Sequence, residues 1–186
     1  LPVQVIVSGG STATRPAVGA TSTIPIVMGQ DNDPVSSGFV ASLSRPGGNV
    51  TGLTTMLPEM SAKQLALLAE MVPGLTRVAV FGDSGEAGND QSAAEAANAA
   101  RHLNLQMQYL DLRQVGEPPQ LFAAATRESA GAVLVLASAY LFARQVEVCA
   151  LAIKARLPGL YAHSEYVRSG GLATYSVNVI ELFRYT

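Results

Sequence analysis

The stretch from Ser61 to Asp83, SAKQLALLAEMVPGLTRVAVFGD, changes its hydrophobic period in mid-course. Ser61 and Gln64 have the spacing of a capping box, in which hydroxyl and amide side chains satisfy each other's orphan backbone amides. Leu65, Leu68 and Val72 then share one helical face, and Pro73-Gly74 stops the helix. Val78 to Phe81 follows as an unbroken apolar run, ending on Gly82-Asp83. A helix that feeds a strand apolar on both sides is the repeating unit of a parallel sheet covered on both faces.

The same alternation extends in both directions. Strands are expected near Val3–Val7, Ile24–Met28, Val50–Leu53, Val78–Phe81, Gln106–Leu110, Ala132–Leu136, Leu160–Ala162 and Leu172–Tyr175. Ala93, Ala96, Ala97, Ala100 and Leu103 make a second helical stripe, with small residues suited to close packing on a sheet. Pro118-Pro119 opens a third helix, where missing amides cost nothing. Cys149, Ile153 and Arg156 fall on a fourth, closed by Pro158-Gly159. Pro16 interrupts the segment after the first strand, so that helix is expected to begin near Pro16. The pattern implies open α/β sheets with right-handed crossovers, and Leu53 to Ser61 reads as a crossing between two such units.

The chain has 186 residues, 48% hydrophobic and 14% charged, with a formal charge of −2. A chain of this size buries roughly 70% of its unfolded surface, enough for one large core or two smaller lobes. Mild acidity and the absence of any Lys/Arg run argue against a nucleic-acid partner. The longest uncharged apolar run, Ala130 to Ala143, is shorter than the ~18 residues of a membrane helix. Cys149 is the single cysteine, so no intrachain disulfide forms, and its apolar neighbours suit a buried thiol.

Ligands of open α/β sheets bind beyond the carboxyl ends of the strands. Five loops qualify. Ser8-Gly9-Gly10-Ser11-Thr12 offers glycines for close approach and a helix N-terminus for an anion. It lacks the lysine of a P-loop, since no lysine precedes Lys63, and it lacks GxGxxG spacing. A carboxylate at Gly10, Ser11 and Thr12 suits it, as does a plain helix cap with nothing bound. Gln30-Asp31-Asn32-Asp33-Pro34 could receive an ammonium or hydroxyls through Asp33, or simply form Asx-turns. Asp83 to Asn89 is glycine-containing and acidic. Ser138-Ala139-Tyr140 ends the most apolar strand. Tyr161 to Val167, YAHSEYV, brings Tyr161 and Glu165 together in a pattern suited to an amphipathic ligand. Tyr175, at the end of the last strand, joins them as a ligand candidate.

Catalysis finds little support. No His pair has zinc spacing, GxSxG is absent, and the carboxylates are scattered. No cofactor or metal is expected.

Several segments together resemble a known family. VIVSGGSTAT (5–14), TSTIPIVMG (21–29), DPVSSGFVASLSRPGGNVTGLT (33–54), SAKQLALLAEMVPGLTRVAVFGD (61–83) and LPGLYAHSEYVRSGGLATYSVNVIELFR (157–184) resemble the solute-binding components of ABC importers. More narrowly they resemble the tryptophan/tyrosine-type branch. The resemblance implies an α/β fold of the type I periplasmic-binding class, with two Rossmann-like lobes of parallel sheet and a ligand trapped between them. It implies a first lobe over residues 1–55, with residues 172–186 returning to it, and a second lobe over 56–171. Members usually begin with another strand–helix unit or two, so the first lobe is expected to be incomplete.

The Ser8–Thr12 loop resembles the family's SGTPAT stretch, placed to receive an α-carboxylate, and Asp33-Pro34 matches its DP. Phe81-Gly82-Asp83-Ser84 stands where the family commonly has an Asn-Pro-rich loop, and Ser138 stands near a frequent acidic residue. The resemblance implies a small amphipathic carboxylate of aromatic or aliphatic amino-acid type as ligand, an ABC importer permease as partner, and a periplasmic or membrane-anchored extracytoplasmic location. An exposed sheet edge would leave room for a homodimer. Two alternatives stay open: an effector-sensing domain of a transcription regulator with the same fold, and a non-binding truncated relic.

Overall fold

The computed structural model describes residues 3–178 and 184. The chain divides into two compact units, Leu1–Leu57 with Val177–Thr186, and Pro58–Ser176. The first holds β1 (Ile6–Gly9), α1 (Ser11–Ala20), β2 (Ile26–Gln30) and β3 (Val50–Gly52), with all strands parallel in the order β1-β2-β3. The second holds α2 (Leu57–Met71), β4 (Arg77–Gly82), α3 (Asn89–His102), β5 (Gln106–Asp111), α4 (Leu112–Val115), α5 (Pro118–Arg127), β6 (Ala132–Val135), α6 (Ala139–Ala143), α7 (Gln145–Ala155), β7 (Gly159–Tyr161), α8 (Glu165–Arg168) and β8 (Ala173–Thr174). Its five strands are parallel in the order β5-β4-β6-β7-β8.

The period-2 geometry of the strands sorts the second unit's core into two layers. Ala79, Phe81, Val133, Val135 and Tyr161 face α5 and α7, packing on Leu121, Phe122, Val148 and Cys149. Val78, Val80, Ala132, Leu134 and Leu160 face the other way, onto Leu65 and Leu68 of α2 and Ala96 and Ala100 of α3. Both faces are therefore covered, which is why these strands read as continuous apolar runs. In the first unit, Ile26, Met28 and Val50 pack with Ile6 on Ala17, Val18, Phe39 and Val40. The opposite face carries the row Val7–Val27–Thr51, with Val7 63% exposed.

Two expected helix starts are corrected. Helix α1 begins at Ser11 and contains Pro16 in its interior. Thr12, whose carbonyl a residue-16 amide would have served, lies with Pro16 on the exposed flank of the helix. Helix α2 begins at Leu57, with Pro58 and Glu59 in its first turn, so Ser61 and Gln64 are interior rather than a capping box. Both are buried, and Gln64 Nε2 donates to the Tyr175 carbonyl at 2.8 Å.

Candidate functional site

At the carboxyl end of the first unit's sheet, β1 runs through Gly9 into α1. Gly10 turns the chain with φ 77°, a left-handed conformation that glycine reaches without a side-chain penalty. Its amide donates to the Gln30 carbonyl at 2.9 Å, continuing the β1–β2 ladder. Gly10 is therefore not the amide donor expected from the sequence. Its carbonyl accepts from Ala13 and Thr14. Among the described residues this leaves the Ser11 and Thr12 amides without a partner, at a helix N-terminus that carries no side-chain cap.

The hydroxyls around them are tied inward. Ser8 Oγ lies 2.9 Å from Thr14 Oγ1, which itself donates to the Gly10 carbonyl. Ser8 is buried, so it shapes the loop rather than facing a ligand. Ser11 Oγ donates to Asp31 Oδ2 at 2.9 Å. The other Asp31 oxygen accepts the Asp33 amide at 3.1 Å, and the Asp31 carbonyl accepts Thr54 Oγ1 and the Thr55 amide and hydroxyl. Asp33 Oδ1 in turn accepts the Ser36 amide, three residues on. Asp31 is fully buried; desolvation pushes its carboxyl above the usual range, and the Asp33 charge adds to this against the hydrogen bonds from Ser11, Asp33 and Asn32.

The carboxyl end of the second unit's sheet carries a closed polar network. Asp83 Oδ1 accepts from Gly85 N and Arg113 Nε, both at 3.0 Å, and Oδ2 accepts from Ser138 Oγ at 3.1 Å. Ser138 Oγ caps α6 by accepting the Leu141 amide. Asn89 accepts the Asp83 amide and donates to the Ala137 carbonyl. The Arg113 guanidinium lies over Gly85, where a Cβ would collide with it. Asp83 and Ser138 are thus buried structural partners of one another.

The aromatic candidates scatter. Tyr140 donates to Glu117 Oε2 while the Arg144 guanidinium sits 3.7 Å over its ring, a surface cluster. Tyr161 is corrected as a ligand contact: it is 1% exposed and stacks on Tyr166 at 4.7 Å. Its hydroxyl lies beside the Gly159 Cα, back toward the amino end of β7, and burial raises its pKa. Glu165 opens α8 and accepts from Ser164 Oγ. Tyr175 is 39% exposed, with its carbonyl held by Gln64. His163 packs edge-on against Phe142 at 5.1 Å, and burial lowers its pKa despite the nearby Glu165. Among the described residues no group of His, Cys, Asp or Glu could hold a metal ion.

A profile described as ABC transporter substrate binding protein matches residues 2–185. The chain belongs to that family. Over 74 residues, 40% of this chain, it is 36% identical to a tyrosine-binding protein of Clostridioides difficile (strain R20291). That match spans 21% of the relative. A crystal structure of an ABC domain in complex with L-Trp from Streptococcus pneumonia matches all of this chain and 63% of its own, at 20% identity and a TM-score of 0.85. A conserved domain protein from Vibrio cholerae matches all of this chain and 62% of its own, at 22% identity and a TM-score of 0.88. This chain thus spans less than two thirds of these solved chains. The likeness establishes an α/β fold of the periplasmic-binding-protein kind, in a family that binds substrates and is not one of enzymes.

Sequence reasoning missed Asp31, Thr54, Thr55 and Arg113. Asp31 lay inside a loop already singled out, but its partner Ser11 is 20 residues away and nothing local marks the pair. Arg113 stands just beyond β5, at a strand end outside the five candidate loops.

Proposed function

We propose that this chain is the solute-binding component of an ABC importer and takes a small amphipathic carboxylate of the aromatic or aliphatic amino-acid type. The observation that supports this most directly is the pair of unpartnered amides, Ser11 and Thr12, at an uncapped helix N-terminus beyond the carboxyl ends of β1 and β2. Two convergent N–H groups and the positive end of the α1 dipole suit a carboxylate and need no lysine. The tyrosine-binding relative and the L-Trp complex support the same ligand class. On this reading the partner is an importer permease and the protein works outside the cytoplasm. No described helix is long and apolar enough to cross a membrane.

Calorimetric titration of L-tryptophan, L-tyrosine and L-leucine, with the matching amino-acid amides as controls, tests the proposal. Saturable binding of at least one free acid, abolished in its amide, is expected. No binding of any of the three at millimolar concentration would refute it.

A further inference from the structure

Three buried carboxylates stand at strand ends among the described residues: Asp31, Asp83 and Asp111. Asp83 holds Arg113 Nε, and Asp111 feels the same guanidinium. No cation is paired with Asp31 among the described contacts. Facing it are Ser11 from α1, Asn32 and Asp33 from its own loop, and Thr54 and Thr55 from the loop after β3. Of these only Asp33 is charged, and its sign is the same.

We propose that Asp31 is a positioning residue for the ligand loop and makes its hold on an acid proton-linked. This rests on the reading of the Ser11 and Thr12 amides as the acid's seat. Through Ser11 Oγ, Asp31 fixes the first residue of α1, and through the Asp33 amide and the two threonines it fixes the loops on either side. An anion accepting from the Ser11 amide lies one side chain away from that carboxylate. In a buried setting two like charges so close repel, whereas a neutral Asp31 costs the anion nothing. Binding of the acid therefore favours protonated Asp31, and by linkage protonation of Asp31 favours the acid. Burial, which already lifts the Asp31 carboxyl above its ordinary range, moves this coupling toward less acidic pH. The protein would grip its ligand more tightly in acid and relax as pH rises, with a fraction of a proton taken up on binding.

The test is calorimetric titration of L-tryptophan between pH 4.5 and 7.5, a range in which the ligand carboxylate stays ionised, in buffers of differing ionisation enthalpy. Wild-type affinity is expected to be about three- to tenfold tighter at the acid end, with net proton uptake. Asp31→Asn, which keeps an acceptor for Ser11 or the Asp33 amide but has no charge to titrate, should flatten the profile. Asp31→Ala, which removes both acceptors, should weaken binding at every pH. A flat wild-type profile, or an unchanged slope in Asp31→Asn, overturns the coupling while leaving the carboxylate seat intact. Wild-type affinity in a folded Asp31→Ala overturns the positioning role. No binding at any pH overturns this inference together with the reading beneath it.

Discussion

Replacing Ser11 with proline removes one amide proton from the proposed carboxylate seat while disturbing α1 very little. Ser11 is the first helical residue, the position where proline's missing N–H and fixed φ are best tolerated. Gly10 before it has ψ 162°, the extended value that a following proline ring demands. The substitution also deletes the Ser11 hydroxyl and its bond to Asp31, so Ser11→Ala is the reference that isolates the amide. A hydrogen bond to a charged group contributes about 1.5–3 kcal/mol. Ser11→Pro should therefore bind L-tryptophan or L-tyrosine roughly tenfold to a hundredfold more weakly than Ser11→Ala, with the two variants unfolding at similar temperatures. Calorimetric titration and thermal melts of both decide it. Equal affinity in the two variants would show that the acid group sits elsewhere.

Gly52 has φ 145°, and a Cβ there would lie 2.2 Å from the Met28 carbonyl oxygen, so Gly52→Ala should destabilise the protein by about 3 kcal/mol or more. An unchanged midpoint in urea unfolding would contradict that. His163 has its pKa lowered by burial, so below about pH 6.5 the unfolded chain binds a proton that the folded chain resists. Stability should fall as pH drops from 6.5 through the folded value, and His163→Gln should lessen that fall in thermal melts. Asp31 works in the opposite sense, since its raised pKa lets the folded chain bind the extra proton, and its window runs from 3.8 up to that raised value. Val3, Val5 and Val7 are 57%, 49% and 63% exposed near β1, which pairs only with β2 among the described residues. Pairing of two copies there predicts a dimer by light scattering that Val7→Lys disperses; a wild-type monomer at high concentration would sink it.

The central strands were legible because unbroken apolar runs of this length have few other uses, as Val78–Phe81 and Ala132–Val135 show. Their edges were less legible. The first strand was expected at Val3–Val7 but runs Ile6–Gly9, because register against β2 starts where Ile6 meets Ile26. The Ser61/Gln64 signal misled for a non-local reason, since Gln64 is kept for a carbonyl 111 residues away. Short helices such as α4 and α6 carry too few residues for a periodicity. At the strand ends, the sequence does not show which groups are already engaged by the fold. Gly10 lost its amide to a ladder rung, and Tyr161 turned inward because Gly159 and Gly171 leave room for its ring.

The strand-end carboxylates bear on what a ligand can be asked to supply. Asp83 and Asp111 are neutralised within the second unit by Arg113 and by amides of Ser84, Gly85 and Arg113 itself. A ligand ammonium offered to Asp83 must first displace a guanidinium whose Nε–Oδ1 bond is 3.0 Å and largely shielded on the carboxylate side. Such a displacement leaves Arg113 unpaired, and that cost offsets much of what the new ion pair contributes. Recognition of an ammonium by Asp83 is therefore weak unless the ligand also engages Arg113, and on the proposed carboxylate reading discrimination falls on the acid end and the apolar body. It follows that deleting the ammonium from a ligand should cost less affinity than amidating its carboxylate. Comparing indole-3-propionate with L-tryptophan amide measures the two losses directly, and a larger loss for the propionate would place the dominant polar contact on a carboxylate after all.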